Sequence, residues 1–431
     1  MFIPQAILRT TTAMSTRRAF VGSALGTMGV LGFGGLFAPG VTKALAVQQK
    51  RVLVVFLAGG LSQLESWDPK PGTDTGGPFR KIQTSVPGIQ ISELLPETAQ
   101  RMHHLALVRG VNTKEDEHGR GTTIMLTGRR TEPGIQYPHI GAVSAKLLGG
   151  MQPSHGLPGH IQIHPAGGSG FNKQDAAFLG PQYAAVTLAD GKPPADLFRP
   201  AGLNDSVDAQ RELFRRKLNE RFARSRRSAS TDAYAESYDQ AAQFYQKRDV
   251  FAIDKEDPKI ADRYGRHDFG RHLLLARRLL EAGVTFVKVT HSNYDTHHEN
   301  FDFHIEQLGE FDRPFAVLID DLAERGLLQS TLIIVMSEFG RTPKINDRYG
   351  RDHWSKAWSI ALGGCGVKGG AVVGATNTNG TAVTQREVHG GHLFHTYFRA
   401  LGLDPTRNFY PNDRPIPIAD PQAAPITELL L

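Results

Sequence analysis

A single cysteine, Cys365, in 431 residues excludes an intrachain disulfide. It stands in Gly363-Gly364-Cys365-Gly366, a turn-like setting with no histidine beside it, and reads as structural. Acidic residues are missing from the first 46 positions, which carry four basic ones: Arg9, Arg17, Arg18 and Lys43. Without that segment the formal charge falls from +6 to +2. The remainder lacks the broad cationic surface that a nucleic-acid partner demands. Its one dense basic cluster, Arg211 to Arg227, alternates with Leu213, Phe214, Leu218 and Phe222 at helical spacing, as the solvated side of an amphipathic helix does. No internal repeat or low-complexity tract is present, which excludes solenoids and arrays.

Long apolar runs are also scarce, and the one that exists lies at the N-terminus. Thr16-Arg17-Arg18-Ala19-Phe20-Val21 leads into an uncharged stretch from Val21 to Val41, followed by the small-x-small site Ala44-Leu45-Ala46. Seven glycines and Pro39 weaken the run as a membrane span. The paired arginines make residues 1–46 a twin-arginine export signal, with Met14 as an alternative start and a retained anchor as the competing reading. The expected destination is the periplasm, with the signal as the only tie to a membrane. That route carries folded proteins, so a metal loaded in the cytoplasm is permitted.

Residues 47–431 read as one α/β domain with a mainly parallel central sheet flanked by helices. Val52 to Leu57, Leu105 to Val108, Val284 to Thr290 and Thr331 to Met336 are strand-length apolar runs of the kind buried parallel strands show. Gly270 to Ala282 has a helical stripe ending at Gly283. A second stripe runs from Leu308 to Leu322, where Pro314 should kink or divide it. Pro153 to Pro200 reads as long surface loops, and 206–245 as a helical insertion packed over the sheet.

Three segments in the C-terminal half carry chemistry: Tyr294-Asp295-Thr296-His297-His298, Ser337-Glu338-Phe339-Gly340-Arg341-Thr342 and Gly350-Arg351-Asp352-His353-Trp354. Each follows an apolar run, and together they supply the carboxylates and imidazoles that bind divalent metals or move protons. Strand ends of a parallel sheet are where open α/β folds place their sites. Each residue has a plainer reading as well: Asp295 as the cap of the following helix, and Glu338 with Arg341 as an ion pair ordering the loop. The glycine-flanked His118-Gly119-Arg120-Gly121 could hold an anion at a helix N-terminus.

These three segments, with Trp67-Asp68-Pro69-Lys70-Pro71, the stretch Ala276 to Val284, Gly369-Gly370 and Gly374-Ala375-Thr376, resemble the domain-of-unknown-function family 1501. The resemblance implies an alkaline-phosphatase-like, sulfatase-like α/β fold. Thr331 to Gly340 is similar to the sulfatase strand ending Ser-Asp-Asn-Gly, with Glu338 at the first metal position and Phe339, which cannot coordinate, at the second. Leu126-Thr127-Gly128-Arg129 resembles the segment after the sulfatase nucleophile, and His118 occupies the nucleophile's own place. Ala58-Gly59-Gly60 stands where sulfatases carry metal-binding aspartates, and His392 where the wider superfamily has a late metal-binding histidine.

The metal set drawn from this comparison is Asp295, His297, Glu338, Asp352, His353 and His392. Mixed imidazole and carboxylate ligands suit Zn, Mn or Fe better than Ca. The resemblance implies no settled activity; the expected function is metal-dependent hydrolysis of a sulfate or phosphate ester on a small molecule or glycan, without the usual Ser or Cys nucleophile. His118 would be the general base or acid, and Arg120 or Arg341 would stabilise charge. The alternative is a non-catalytic relative that binds a glycan or protein partner.

Overall fold

The computed structural model describes residues 49–149, 157–166, 175–193, 204–226, 245 and 247–431. The export segment and residues 227–244 of the insertion therefore lie outside the described residues. Eight strands form the central sheet: β1 (Arg51–Leu57), β2 (Leu105–Val111), β3 (His160–His164), β4 (Val186–Ala189), β5 (Phe286–His291), β6 (Thr331–Met336), β7 (Trp358–Gly364) and β8 (Val372–Val373). Their spatial order is β8-β2-β7-β6-β1-β5-β3-β4. Only β7 runs against its neighbours, β2 and β6. The other pairings are parallel.

Every residue of β1 and β6 is buried. Helices on both faces remove any need for polar alternation, which is why these strands read as unbroken apolar runs. Val52, Val54 and Phe56 of β1 enter a core with Ile334 and Leu362. That core includes Met125 of α1 (His118–Thr127), Ile140 of α2 (Ile140–Gly149) and Phe398 near the chain's end. The pleat sends Leu53, Val55 and Leu57 to the other face, where they are equally buried.

Three expectations change. Pro153 to Pro200 is not all loop, because β3 and β4 add two parallel strands to the sheet. His160 and Gln162 are buried there with polar partners, so a core strand carries polar residues that break its apolar run. The helix α3 (Asp205–Arg226) forms, but Leu213, Phe214, Leu218 and Phe222 are 48–64 % exposed and do not lie against the sheet. Downstream, α4 (Asp268–Glu281) packs against β5 and against α5 (Asn300–Glu324). Pro314 does not divide α5. Its flanking apolar side chains Phe311, Phe315, Leu318 and Leu322 are fully buried, which outweighs the ~3 kcal/mol that an interior proline costs.

Because β1, β2, β5 and β6 point the same way, the segments that leave them meet at one edge. Gly59 follows β1, the 294–298 loop follows β5, Ser337-Glu338 follows β6, and α1 follows β2. The helix α6 (Gly390–Ala400) completes the α1 side of the core.

Candidate metal centre

His118 is the first residue of α1, fixed by a helix start built on Glu117. The Glu117 carboxylate accepts the amides of Gly119 and Arg120 at 2.9 and 2.8 Å. The helix N-terminus, an anion site in outline, thus already holds an anion of its own. His118 Nδ1 donates to Glu338 Oε1 at 2.7 Å, and its Nε2 lies 3.3 Å from Asp295 Oδ2.

The other two imidazoles repeat this pattern. His297 Nδ1 donates to Asp352 Oδ1 at 2.7 Å, and its Nε2 lies 3.1 Å from Asp295 Oδ1. His353 Nδ1 donates to the backbone carbonyl of Asp116 at 2.7 Å, and its Nε2 lies 3.1 Å from the same Asp295 oxygen. A short antiparallel pairing of Gly340–Arg341 with His353–Trp354 sets His353 opposite Arg341.

An acceptor at Nδ1 fixes the tautomer and leaves Nε2 as a bare lone pair. Three such lone pairs converge on one carboxylate, and His297 Nε2 and His353 Nε2 stand 3.1 Å apart. Facing lone pairs repel unless a cation lies between them. In a tetrahedral zinc shell with bonds of ~2.0–2.1 Å, donors sit roughly 3.3 Å apart, close to the spacing found here. The donors of His118, Asp295 and His353 all lie within 4.8 Å of one another, and His297 adjoins two of them. The residues present fit a divalent transition metal.

Burial alone would raise the Asp295 carboxyl, but the hydrogen bond and charge of Arg341, aided by His353, take it down to about 2. His118 is pushed up, chiefly by its bond to Glu338, so a metal would have to displace a proton held at Nε2 against Asp295. His353 is pushed down, chiefly by burial.

The remaining candidates act from behind or stand elsewhere. Glu338 is buried and receives the Gly59 amide at 2.9 Å and the Ser337 hydroxyl at 2.9 Å besides His118. Asp352 backs His297. Arg341 is fully buried, with Nε on the Gly60 carbonyl, Nη1 on the Arg351 carbonyl, and Nη2 on the Gly59 carbonyl and Asp295. Its ion pair is therefore with Asp295 and not with Glu338. Asp295 does not cap α5, whose start falls at Glu299. Arg120 pairs with Glu115 at 3.1 Å. His392 lies in the first turn of α6 with its ring 4.0 Å from that of His389, and no contact among the described residues joins it to the centre.

Sequence reasoning missed the Asp116 carbonyl, since a backbone acceptor leaves no residue signal. It also missed the use of Phe339, whose buried ring sits 4.8 Å from His118 and 4.4 Å from His353 and packs against both imidazoles, which themselves meet edge-on at 4.5 Å.

A family model described as Protein of unknown function (DUF1501) matches residues 49–430. The chain belongs to that family. No curated protein matches it. Solved structures similar to this DUF1501 chain include the alkaline phosphatase of the Antarctic bacterium TAB5. Identity is 13%, with 83% of this chain and 100% of that one covered, at a TM-score of 0.36. A protein in the alkaline phosphatase superfamily from Vibrio parahaemolyticus is similar at 12% identity, covering 83% and 67%, with a TM-score of 0.36. The C-terminal periplasmic domain of EcEptC from Escherichia coli, a zinc complex, is similar at 11% identity, covering 88% of each, with a TM-score of 0.38. At these scores the likeness transfers no chemistry to the DUF1501 chain.

Proposed function

We propose that this chain is an exported, metal-dependent hydrolase of sulfate or phosphate esters, acting on a small molecule or glycan. The observation that carries the reading is the convergence of His118, His297 and His353 through Nε2 on Asp295, each ring locked from behind at Nδ1. These four residues would hold a divalent transition metal such as Zn, Mn or Fe. An ion there would supply Lewis acidity toward an ester oxygen and toward water.

The chain's own groups favour water over a side chain as nucleophile. Ser337, the hydroxyl beside Glu338, accepts the Gly60 and Leu61 amides at 3.0 and 3.1 Å and shares its one hydrogen between the Leu57 carbonyl at 2.5 Å and Glu338 at 2.9 Å. It is buried and fully engaged. Arg341 keeps Asp295 ionised and aimed, Glu338 and Asp352 keep two imidazoles oriented, and the Asp116 carbonyl keeps the third.

The test is metal analysis of full-length protein purified without chelators, followed by a panel of aryl and sugar sulfates and phosphates. The expected result is stoichiometric metal, lost in Asp295→Ala and His353→Ala, with hydrolysis falling by about two to four orders of magnitude. Metal-free, fully folded protein refutes the centre. Stoichiometric metal with no turnover across the panel refutes the hydrolase and leaves the binding-protein alternative.

Export by the twin-arginine route belongs to the same proposal. No helix among the described residues is long and apolar enough to cross a membrane. Replacing Arg17 and Arg18 by lysine should strand the precursor in the cytoplasm, because the route reads the arginine pair and not its charge alone. Undiminished periplasmic delivery of the double variant would exclude it.

A further inference from the structure

The Trp67-Asp68-Pro69-Lys70-Pro71 stretch takes no part in the metal centre. Its residues Asp68 to Pro71 line a separate cavity of about 310 Å³, together with Lys81, Gln90 and Arg109. The wall is rigid. Trp67 is fully buried, edge-on to Phe311 at 6.4 Å, and the two prolines fix their own φ. The Lys70 carbonyl accepts the Thr73 hydroxyl at 2.8 Å. The same loop is bolted to the segment that carries Asp352 and His353, since Arg351 binds both oxygens of Glu65 and the Thr75 carbonyl.

The charges of this cavity do not balance. Asp68 is its one lining carboxylate, and both oxygens are engaged, Oδ1 by Lys70 at 3.0 Å and Oδ2 by the Thr376 hydroxyl at 2.5 Å. Arg109 stands 3.7 Å from that carboxylate. Its Nε donates to the Trp67 carbonyl at 3.0 Å and its Nη2 to the Gln90 carbonyl at 2.5 Å, which fixes the guanidinium plane. Nη1 has no hydrogen-bond partner among the described residues. Lys81 adds a third cation at the rim. Burial pushes the Arg109 pKa down, with Asp68 only partly opposing it, so the charge is held at a desolvation cost that a bound anion would relieve.

We infer that this cavity binds a tetrahedral oxyanion, sulfate or phosphate, as the free ion or as a substituent of a larger ligand. Arg109, preset by two backbone carbonyls, would present Nη1, with Lys70 and Lys81 completing the charge. The inference is independent of the metal centre.

The experiment titrates full-length protein with sodium sulfate, sodium phosphate and galactose 6-sulfate at constant ionic strength, with chloride as reference. Thermal shift and calorimetry are the readouts. Saturable stabilisation beyond chloride is expected, weakened about tenfold or more in Lys81→Glu and in Lys70→Met. It should be unchanged in His353→Ala, which leaves the cavity intact. Lys81 is exposed, so its variant should fold, and Lys70→Met keeps the stem that packs the wall. Saturation by the inorganic ions with none by the sugar ester supports a free-ion site; saturation by the sugar ester supports a pendant-group site. No response beyond chloride overturns the inference. An equal response in wild type and both lysine variants, or a response lost in His353→Ala, does so too.

Discussion

Glu338 reaches the centre only through His118, and that indirectness gives it a distinctive signature. Its carboxylate fixes the His118 ring by accepting from Nδ1, while the Gly59 amide and Ser337 hydroxyl fix the carboxylate. Loss of charge without loss of shape, as in Glu338→Gln, should lower metal affinity by about 10–100-fold while leaving the site fillable at excess metal. Asp295→Ala should leave no site to fill. Chelator competition measures both, and a Glu338→Gln affinity equal to wild type would remove Glu338 from the centre. Gly59 explains an absence at the same scale. It has φ +116°, and a Cβ there would run into the backbone of Tyr294 and Asp295. Gly60, at φ +90°, has the Phe339 ring in the corresponding place. The aspartates that sulfatases carry after the first strand are therefore sterically excluded here, and the proposed ligands come from other loops.

At the scale of the element, legibility followed burial. The strands β1 and β6 are buried along their whole length and announced themselves as apolar runs, so the loops that follow them could be placed at one sheet edge. That placement put Asp295, His297, Glu338, Asp352 and His353 in one expected site, with His392 added from the superfamily comparison. β3 stayed hidden because His160 and Gln162 are buried as polar residues, each satisfied inside the fold. Pro314 misled because local propensity was weighed without the packing of Phe311 and Phe315 on either side of it. His118 entered the expected site as a general base or acid, whereas its approach to Asp295 makes it a candidate ligand. The resemblance placed it at a nucleophile position, whereas its partner, Glu338, is 220 residues away and is found only in three dimensions. His392 failed in the opposite way: position in the superfamily pattern suggested a ligand, and the turn of α6 directs its ring to His389.

The molecule as a whole buries more imidazole than its candidate metal centre uses, and this sets its response to acid. Burial pushes His139 down to about 4, His160 to about 3 and His304 to about 4. Each is neutral in the fold but titrates near the ordinary value of 6.5 once unfolded. Below that pH the unfolded chain binds more protons at these positions, so their contribution to stability is full above about pH 6.5 and is lost as pH falls toward 4. Asp175 has the opposite sign. Burial raises it to about 6, so the folded chain takes up its proton first and gains stability between about pH 6 and 4. Three groups against one leave a net loss on this account. His160 isolates the effect, because its ring contacts none of the proposed metal ligands: Nδ1 donates to the Tyr183 carbonyl at 3.1 Å and Nε2 accepts from Gln162 at 3.3 Å. Gln at this position can keep a donor and an acceptor without a titratable group. His160→Gln should therefore reduce the drop in Tm between pH 7 and pH 5, even if its Tm at pH 7 is lower than that of wild type. Calorimetric scans of both proteins at the two pH values decide it, and an equal drop in the two would show that His160 does not become charged on unfolding in that range.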